Sequence, residues 1–316
     1  MNLPLRIGVD LMGSDNSPET LLDAVCEFAS LRTSTHFYLF AKEQLEKKLP
    51  SAPNIHFIIA KQSIEMNENP LLAIRRKKDS SICIGMHHLK SNNIDAFISA
   101  GNTGALVTAA KTILGMEPSI LRPALLATVP TKEGPLTVLD VGANIELKPI
   151  HLMQFAQMGV AYLKEKGIKR PRVGLLNIGE EKLKGTSLLQ EAFVMLSKLD
   201  ETHHFTFVGN IEGKEVFQGG VDVLITDGFT GNVFLKTAEG IASLILDRLQ
   251  ENISKDVFNN LQSHLNDLQK HLHYTEYPGA ILCGVNGLVV KCHGYSSPDA
   301  FVKGIDGIIQ NKLLLQ

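Results

Sequence analysis

The chain has 316 residues, 44% of them hydrophobic and 20% charged, and its 31 Lys and Arg nearly balance its 33 Asp and Glu. This balance argues against nucleic acid as the main partner, because phosphate backbones select a basic surface. No stretch reaches the roughly 18 apolar residues of a membrane span, so we expect a soluble, cytoplasmic protein that could still lie on a membrane surface. The four cysteines include no C-x-x-C pair, which argues against a disulfide framework or a zinc ribbon.

Short β-rich runs alternate with helical patterns along the whole sequence. This alternation is typical of βαβ units on a mostly parallel sheet, whose strands are buried on both faces and therefore continuously apolar. Composition marks no domain boundary, so we predict a single domain over residues 1–316 with a helical protrusion around 250–275, although a second lobe is compatible with this length. The predicted strands are Leu5–Asp10, Phe37–Phe40, Ile55–Ala60, Ala96–Ser99, Thr137–Asp140, Arg172–Asn177, His204–Val208, Val221–Thr226 and Val289–His293. The predicted helices include Ser17–Ser30, Pro149–Lys166, Ser187–Leu199 and Asn232–Gln250.

Two of the predicted strands lead into the same short pattern. Ile98–Leu106 and Ile225–Val233 both read as a strand, a hydroxyl residue, G-x-T-G and then a helix. A helix N-terminus offers N–H groups and a partial positive charge, glycine lets the backbone close on a ligand, and Thr adds a hydroxyl, so the pattern predicts an anion site. A coincidence of two tight βα turns is the alternative. The residues of these turns that we predict to bind phosphate are Ser99, Gly101, Asn102, Thr103, Gly104, Gly228, Thr230 and Gly231.

Four further strand ends carry polar residues beside a glycine. Ligands of open parallel sheets bind at the carboxyl ends of the strands, so these ends predict one crevice with several anion donors. The runs are Asp10–Asp15, Asp140–Asn144, Asn177–Glu180 and His293–Ser296, and the candidate ligands in them are Asp10, Gly13, Asp140, Asn144, Asn177 and His293. Magnesium could bind the aspartates there, but helix capping and loop hydrogen bonding are commoner uses of such residues, so we predict no metal site.

Standard nucleotide and hydrolase motifs are missing from the sequence. The absence of G-x-G-x-x-G disfavours a dinucleotide fold, the absence of a P-loop disfavours an NTPase, and no G-x-S-x-G is present. Cys292 and His293 are adjacent on a predicted strand and point to opposite faces, so they make a poor nucleophile and base. Cys26 falls within an apolar helical stripe. We therefore predict no cofactor and no enzyme nucleophile.

Two groups of basic residues are candidates for binding. A lysine within Lys182–Thr186, just past a strand end, can reach the crevice as a fixed cation for phosphate or an oxyanion, although a solvated loop lysine is equally compatible. The basic run of Arg75, Arg76, Lys77 and Lys78 is the densest in the sequence. Such a run is usually a solvated helix face, but it could also dock an acidic protein.

Seven segments, in order and over nearly the whole chain, resemble the bacterial phosphate acyltransferases, the acyl-acyl carrier protein:phosphate transacylases of the PlsX family. These segments are Asp10-x-Met12-Gly13, Ala73–Lys78, Ile98–Ala105, Arg122–Ala124, Leu139–Asn144, Gly174–Gly179 and Thr226–Val233. The sequence departs from the family at Ser14, where the family usually has glycine, and in His293–Asp299, which is longer than the family's segment. It stays open whether Ser297 or Asp299 takes the place of the family's acidic residue.

The resemblance implies a Rossmann-like three-layer α/β/α fold with a mostly parallel sheet, like that of isocitrate dehydrogenase and phosphotransacetylase. It implies transfer of a fatty acyl group from acyl carrier protein to inorganic phosphate, giving the acyl phosphate that a glycerol-3-phosphate acyltransferase uses in phospholipid synthesis. It also implies a cytoplasmic homodimer that associates loosely with membranes. The catalytic lysine and asparagine of the family map onto Lys184 and Asn232.

Phosphate is itself a nucleophile, so we expect the two glycine turns to hold it while Lys184 and Asn232 stabilise the tetrahedral oxyanion. The alternatives are a phosphotransacetylase-type enzyme that uses acyl-CoA, a non-catalytic phosphate- or nucleotide-binding protein and, more remotely, an oxidoreductase. A narrow apolar stripe predicts a helix that packs in the core, in a dimer or on a membrane surface. The residues of the stripe are Val257, Phe258, Leu261, Leu265, Leu268 and Leu272.

Overall fold

The computed structural model describes residues 4–203, 205–252, 279–292 and 297–314. The chain divides into two compact units, Met1–Pro123 with Pro278–Gln316, and Ala124–Tyr277. The apolar stripe, His293 and all of the predicted protrusion around 250–275 beyond residue 252 lie outside the described residues, so the expectations for them stay predictions.

Strands and helices alternate through the described residues. The strands are β1 (Leu5–Asp10), β2 (Thr35–Ala41), β3 (Ile55–Ile59), β4 (Ala96–Ser99), β5 (Ala124–Thr131), β6 (Gly134–Leu139), β7 (Arg172–Asn177), β8 (Thr206–Glu212), β9 (Val223–Ile225), β10 (Ala280–Cys283) and β11 (Leu288–Lys291). The helices are α1 (Pro18–Ser30), α2 (Pro70–Arg76), α3 (Ser81–Lys90), α4 (Thr103–Ala109), α5 (Pro149–Glu165), α6 (Ser187–His203), α7 (Gly228–Asn252) and α8 (Pro298–Leu314). None of these helices combines the length and the hydropathy needed to cross a bilayer.

The first unit contains six strands in the order β3-β2-β1-β4-β11-β10. All neighbours among them are parallel except β10 and β11, which are antiparallel. The register places Asp10 at the end of β1 opposite Ser99 at the end of β4, and Ser99 opposite Lys291 at the end of β11. Three strands therefore present their carboxyl ends side by side, where parallel sheets bind ligands.

The second unit contains five strands in the order β5-β6-β9-β7-β8. Strands β5 and β6 form an antiparallel hairpin, and the remaining neighbours are parallel. Leu139 of β6 and Leu175 of β7 both align with Ile225 of β9. The loops that follow β6, β9 and β7 consequently start from the same edge of this sheet.

Side-chain caps set where several helices begin. The Ser17 hydroxyl accepts a hydrogen bond from the Thr20 N–H at the start of α1, and Asn69 and Ser80 cap α2 and α3 in the same way. Such caps satisfy N–H groups that have no partner inside the helix. Pro residues at the first helical position of α1 and α2 add a backbone already fixed for a helix.

Apolar residues from helices and strands fill the core of the first unit. Leu21 and Val25 of α1 and Phe301 and Ile305 of α8 pack in one buried cluster with β1, β2 and β4. Burial of such side chains contributes about 1.5–3 kcal/mol each before the entropy of ordering them is counted. Strand β4 is buried at all four of its positions, as expected for a strand of a parallel sheet that is covered on both faces.

The predicted α/β fold with a mostly parallel sheet is confirmed, and β1, β4 and β7 agree with the prediction residue for residue. Two strands, β5 and β10, are absent from the prediction. Strand β5 contains Pro130 and pairs in a hairpin, which weakens the pattern of a buried parallel strand, and β10 pairs antiparallel with β11 rather than parallel. The predicted start of a helix at Asn232 is wrong, because α7 already begins at Gly228.

Candidate active site

A buried chain of hydrogen bonds links the ends of β1 and β4. The Asp10 carboxylate accepts from the Met12 N–H at 2.9 Å and from the Ser99 hydroxyl at 2.7 Å, and that hydroxyl accepts from the Gly101 N–H at 3.0 Å. Asp10 and Ser99 are only 1% and 0% exposed. The carboxylate predicted to bind substrate instead shapes the backbone that leads into the glycine turn.

Burial raises the pKa of Asp10 to about 6. Hydrogen bonds from Ser99, Ser81 and Met12 and the positive charge of Lys291 oppose this rise. A carboxylate that is fully buried loses more solvation than these contacts return, so its protonated form is favoured relative to water.

Asn102 is also committed to contacts within the protein. Its side-chain oxygen caps α4 by accepting from the Ala105 N–H at 3.0 Å, and its NH₂ group donates to the carbonyl oxygens of Glu65, Met66 and Glu68 at 3.0–3.3 Å. The side chain therefore holds the loop of residues 65–68 beside the start of α4. The first-turn N–H groups of Thr103 and Gly104 precede the first intrahelical donor and are the better candidates for an anion.

Glycine is required at two positions of this region for close packing. Gly13 has a φ of +72°, and a Cβ there would lie 2.7 Å from the carbonyl oxygen of Ile64. A Cβ at Gly104 would lie 2.5 Å from Pro70 Cγ of α2. The predicted ligand glycines thus have a structural reason to be glycine whatever they bind.

Lys291 is a site residue that sequence reasoning missed. It is only 8% exposed, and its ammonium donates hydrogen bonds to the carbonyl oxygen of Ala100, at 3.4 Å, and to that of Cys292. Fully or nearly buried lysines are rare unless they are paired. A lysine as the last residue of a strand otherwise rich in Val and Leu was the available signal.

In the second unit, Asp140 organises the loop after β6. One carboxylate oxygen accepts N–H groups from Leu125, Gly142 and Ala143 at 3.0–3.1 Å. The other accepts the backbone N–H and the side-chain NH₂ of Asn144, both at 2.8 Å. Burial raises the pKa of Asp140, and these hydrogen bonds oppose the rise. Five converging N–H groups require acceptor lone pairs, so the carboxylate holds the loop rather than a ligand.

The second G-x-T-G pattern does not form a turn before a helix, so this part of the sequence prediction is wrong. It forms the first turn of α7, which Asp227 caps by accepting the Thr230 N–H at 2.9 Å and the Thr230 hydroxyl at 2.7 Å. The Gly228 N–H donates to the Asn144 carbonyl at 2.7 Å, and the Gly231 N–H donates to the Asp227 carbonyl at 2.8 Å. These groups are used within the protein, and a phosphate-binding role for Gly228, Thr230 and Gly231 stays a prediction.

The two glycines of that helical turn allow close packing on the Asp140 loop. A Cβ at Gly231 would overlap the Asp140 carbonyl oxygen, and a Cβ at Gly228 would lie 2.5 Å from the Asn144 carbonyl oxygen. One residue beyond the pattern, Asn232 donates from its amide to the Val141 carbonyl at 3.3 Å and is solvent-exposed. The loop thus contacts the side chain onto which the family resemblance maps a catalytic asparagine, and that role stays a prediction.

Lys184 lies on the loop between β7 and α6, and buried amides fix the backbone of this loop. The side-chain oxygen of Asn177 accepts the Ile178 N–H at 2.8 Å, and its NH₂ group donates to the Lys184 carbonyl at 3.2 Å. Gly185 has a φ of +80°, and a Cβ there would overlap the Asn177 amide. The Lys184 side chain is half exposed, with its ammonium 3.9 Å from Glu181, a contact worth little in solvent.

The basic run lies at the end of α2 and beyond it. Lys77 is tied down by hydrogen bonds to Glu68 Oε1 at 2.5 Å and to the Ser63 carbonyl at 2.8 Å, and the Glu65 N–H and Lys77 together lower the pKa of Glu68. Arg75, Arg76 and Lys78 are exposed. We call these three residues the exposed basic run, and only they are available to a docking partner.

Two of the cysteines are poor candidates for a nucleophile, and the described part of the chain shows no metal cluster. Burial raises the pKa of Cys292 to about 12 and that of Cys26 to about 11, which disfavours the nucleophilic thiolate. The described residues contain no group of three or more His, Cys, Asp or Glu side chains placed to hold a metal ion.

Comparison with known proteins extends over nearly the whole chain. A family model described as fatty acid synthesis protein matches residues 5–312. A phosphate acyltransferase of Chlamydia pneumoniae is 42% identical over 319 residues, covering 97% of this chain and 95% of that protein. A phosphate acyltransferase of Staphylococcus aureus (strain bovine RF122 / ET3-1) is 40% identical over 308 residues, covering 95% and 92%.

Solved structures of lower identity share the fold. A phosphotransacetylase from Streptococcus pyogenes has a TM-score of 0.62 at 15% identity, covering 96% of this chain and 94% of that chain. The EutD phosphotransacetylase from Staphylococcus aureus has a TM-score of 0.61 at 16% identity, covering 97% and 94%. These likenesses confirm the predicted phosphotransacetylase-like fold. The full-length family match and the identities near 40% show that the chain belongs to the fatty acid synthesis protein family, together with these phosphate acyltransferases.

Proposed function

We propose that the chain transfers a fatty acyl group from the thioester of acyl carrier protein to inorganic phosphate and releases an acyl phosphate. The observation that carries the proposal is the 42% identity, over 97% of the chain, to a protein named phosphate acyltransferase. A downstream acyltransferase that consumes acyl phosphate, a homodimeric state and loose membrane association belong to the same proposal and rest on the family resemblance.

The proposed chemistry requires no enzyme nucleophile. A phosphate oxygen forms a bond to the thioester carbon, a tetrahedral oxyanion develops, and the carbon–sulfur bond breaks as the thiolate leaves. Positioning the two substrates supplies much of the acceleration, and preorganised donors supply the rest. This agrees with the high pKa values of the half-buried Cys26 and the buried Cys292.

Lys184 and Asn232 are the donors that we propose for the reacting carbonyl. Both side chains are exposed. The Asn177 amide donates to the Lys184 carbonyl and so holds the loop that carries Lys184, while Asn232 lies in the first turns of α7 and its amide donates to the Val141 carbonyl. An exposed donor on a fixed backbone can meet a substrate without reorganising, which is the property that oxyanion stabilisation needs. The first turn of α4, at Thr103 and Gly104, is the proposed phosphate contact.

The exposed basic run is the proposed docking site for the acidic carrier protein. Leu71 and Leu72 on the same short helix are 49% and 46% exposed, so apolar surface accompanies the charge. Charge complementarity at such a patch mainly raises the rate of encounter and makes it depend on salt.

The proposal is tested by incubating purified protein with inorganic phosphate and either a long-chain acyl thioester of acyl carrier protein or the same acyl-CoA. Acyl phosphate is trapped as the hydroxamate, and thioester loss is followed in parallel. We expect phosphate-dependent consumption of the carrier-protein thioester. Equal or faster consumption of acyl-CoA would support the phosphotransacetylase-type alternative, and phosphate binding without thioester loss would support a non-catalytic binding protein.

A further inference from the structure

Lys291 has a buried ammonium at the entry to the proposed phosphate-binding turn. It lies at the end of β11, opposite Ser99 in register, and is 8% exposed. Burying a charged group away from water costs several kcal/mol unless nearby acceptors or opposite charges compensate for the lost solvation. A lysine at this position therefore requires an explanation beyond filling the core.

The partners of Lys291 indicate what it holds. Its ammonium donates to the Ala100 carbonyl at 3.4 Å, and the Ser99 hydroxyl accepts the Gly101 N–H at 3.0 Å. This carbonyl and this N–H belong to one planar peptide unit and point in opposite directions. The peptide between Ala100 and Gly101 is consequently held at both ends, by a long contact at its carbonyl and a hydrogen bond at its N–H, and both oppose its rotation.

This peptide directly precedes the first turn of α4. The direction in which it enters the helix determines where the N–H groups of Thr103 and Gly104 point. The same ammonium also donates to the Cys292 carbonyl, while the Cys292 N–H donates to the Ser99 carbonyl at 2.9 Å. Lys291 thus joins the ends of β4 and β11 to the turn.

We infer that Lys291 is a positioning residue that fixes the Ala100–Gly101 peptide and thereby aims the turn Gly101–Gly104 at inorganic phosphate. The inference rests on the proposed function for the identity of the anion. Lys291 acts through the backbone of the turn, and its charge also moderates the buried carboxylate of Asp10, whose pKa it lowers.

Lys291→Met keeps the length of the side chain and removes the donor and the charge. Folding of each variant is checked by its urea unfolding midpoint. Lys291→Arg keeps a charged donor, and Lys47→Met, at an exposed position of the same unit, is the matched control.

Steady-state kinetics with the carrier-protein thioester and varied phosphate give the first readout. We expect Lys291→Met to raise the KM for phosphate by about 10- to 100-fold, since small misplacements of a binding group have effects of this size. The KM for the thioester should stay within about twofold, Lys291→Arg should recover most of the phosphate affinity, and Lys47→Met should match the wild type. A merely structural role would lower the unfolding midpoint without this selective change in phosphate KM.

Calorimetric titration with inorganic phosphate alone separates this inference from the proposed function. A wild type that binds phosphate without consuming thioester refutes the proposed reaction, whereas the Lys291→Met titration still decides the inference. Unchanged phosphate affinity in folded Lys291→Met overturns it. Failure of both Lys291 variants to fold also overturns it, because the lysine would then serve the core rather than the turn.

Discussion

Replacing Asp140 by Asn should destabilise the protein strongly, although the two side chains have nearly the same shape. Asp140 is 0% exposed and receives five N–H groups, three on one oxygen and two on the other. In the Asp140→Asn variant an NH₂ group replaces one carboxylate oxygen. This NH₂ group cannot accept hydrogen bonds, so at least two donors, such as the two N–H groups of Asn144, lose their acceptor. Hydrogen bonds to a charged acceptor contribute about 1.5–3 kcal/mol each, so losing two predicts a cost of about 3–6 kcal/mol.

Equilibrium urea unfolding followed by far-UV circular dichroism measures this cost, since the chain contains no Trp for fluorescence. The matched control is Asp227→Asn, because Asp227 accepts two hydrogen bonds from Thr230 at an exposed helix start. Asn caps a helix about as well as Asp, so this exchange should cost less than about 1 kcal/mol. If Asp140→Asn costs less than about 1 kcal/mol, or no more than the control, the organising role of the carboxylate is refuted.

Three further predictions concern catalysis, pH and docking. Lys184→Ala and Asn232→Ala should each reduce acyl phosphate formation by at least about 100-fold while leaving the urea midpoint unchanged. Lys182→Ala is the control. Wild-type rates in Lys184→Ala or Asn232→Ala would exclude a catalytic role for that residue. Burial holds the folded pKa of Asp10 at about 6, above 3.8, so the folded state binds more protons and loses stability as pH rises between these values. The ionised Asp10 costs about 3 kcal/mol of folding free energy at pH 7, and Asp10→Asn should remove this cost. In urea titrations the stability of Asp10→Asn relative to the wild type should therefore improve from pH 4 to pH 7, whereas the exposed Asp23→Asn should show no such trend. Parallel curves of stability against pH for Asp10→Asn and the wild type would contradict this. Changing the exposed basic run to Gln should raise the KM for acyl carrier protein and weaken its salt dependence, and an unchanged salt profile would count against docking there.

The fold could be predicted from the sequence to a large extent. The strands β1, β4 and β7 follow from mostly apolar runs that end at a polar residue, a pattern that is local in the chain. The hairpin strand β5 was beyond this reasoning, because its pairing with β6 depends on neighbours and its Pro130 breaks the pattern. The start of α7 at Gly228 was also missed, since two glycines suggest a turn until their packing on the Asp140 loop is known.

Of the candidate site residues, the sequence predicted only that they follow the strands closely. Polar side chains do lie at or just after strand ends, at Asp10, Asn102 and Asp140. Each of them, however, uses its polar atoms in hydrogen bonds within the protein. The exposed Lys184 and Asn232 came from the family resemblance, and no local pattern distinguishes an exposed donor from a buried organiser. Lys291 was missed because the sequence around it does not indicate that it contacts the carbonyl oxygen of Ala100.

The sequence alone determined the family, the alternation of strands and helices, and the polar residues at the strand ends, because these are properties of short segments. The tertiary structure decided which polar side chains are buried and which are free to meet a substrate. Asp10 accepts a hydrogen bond from Ser99, which is 89 positions away in the sequence, and Lys291 donates one to Ala100, which is 191 positions away. Such contacts between distant residues decide which polar side chains are buried and hydrogen-bonded. Buried, hydrogen-bonded side chains hold the site in shape, whereas exposed side chains of the same chemistry can act on a substrate.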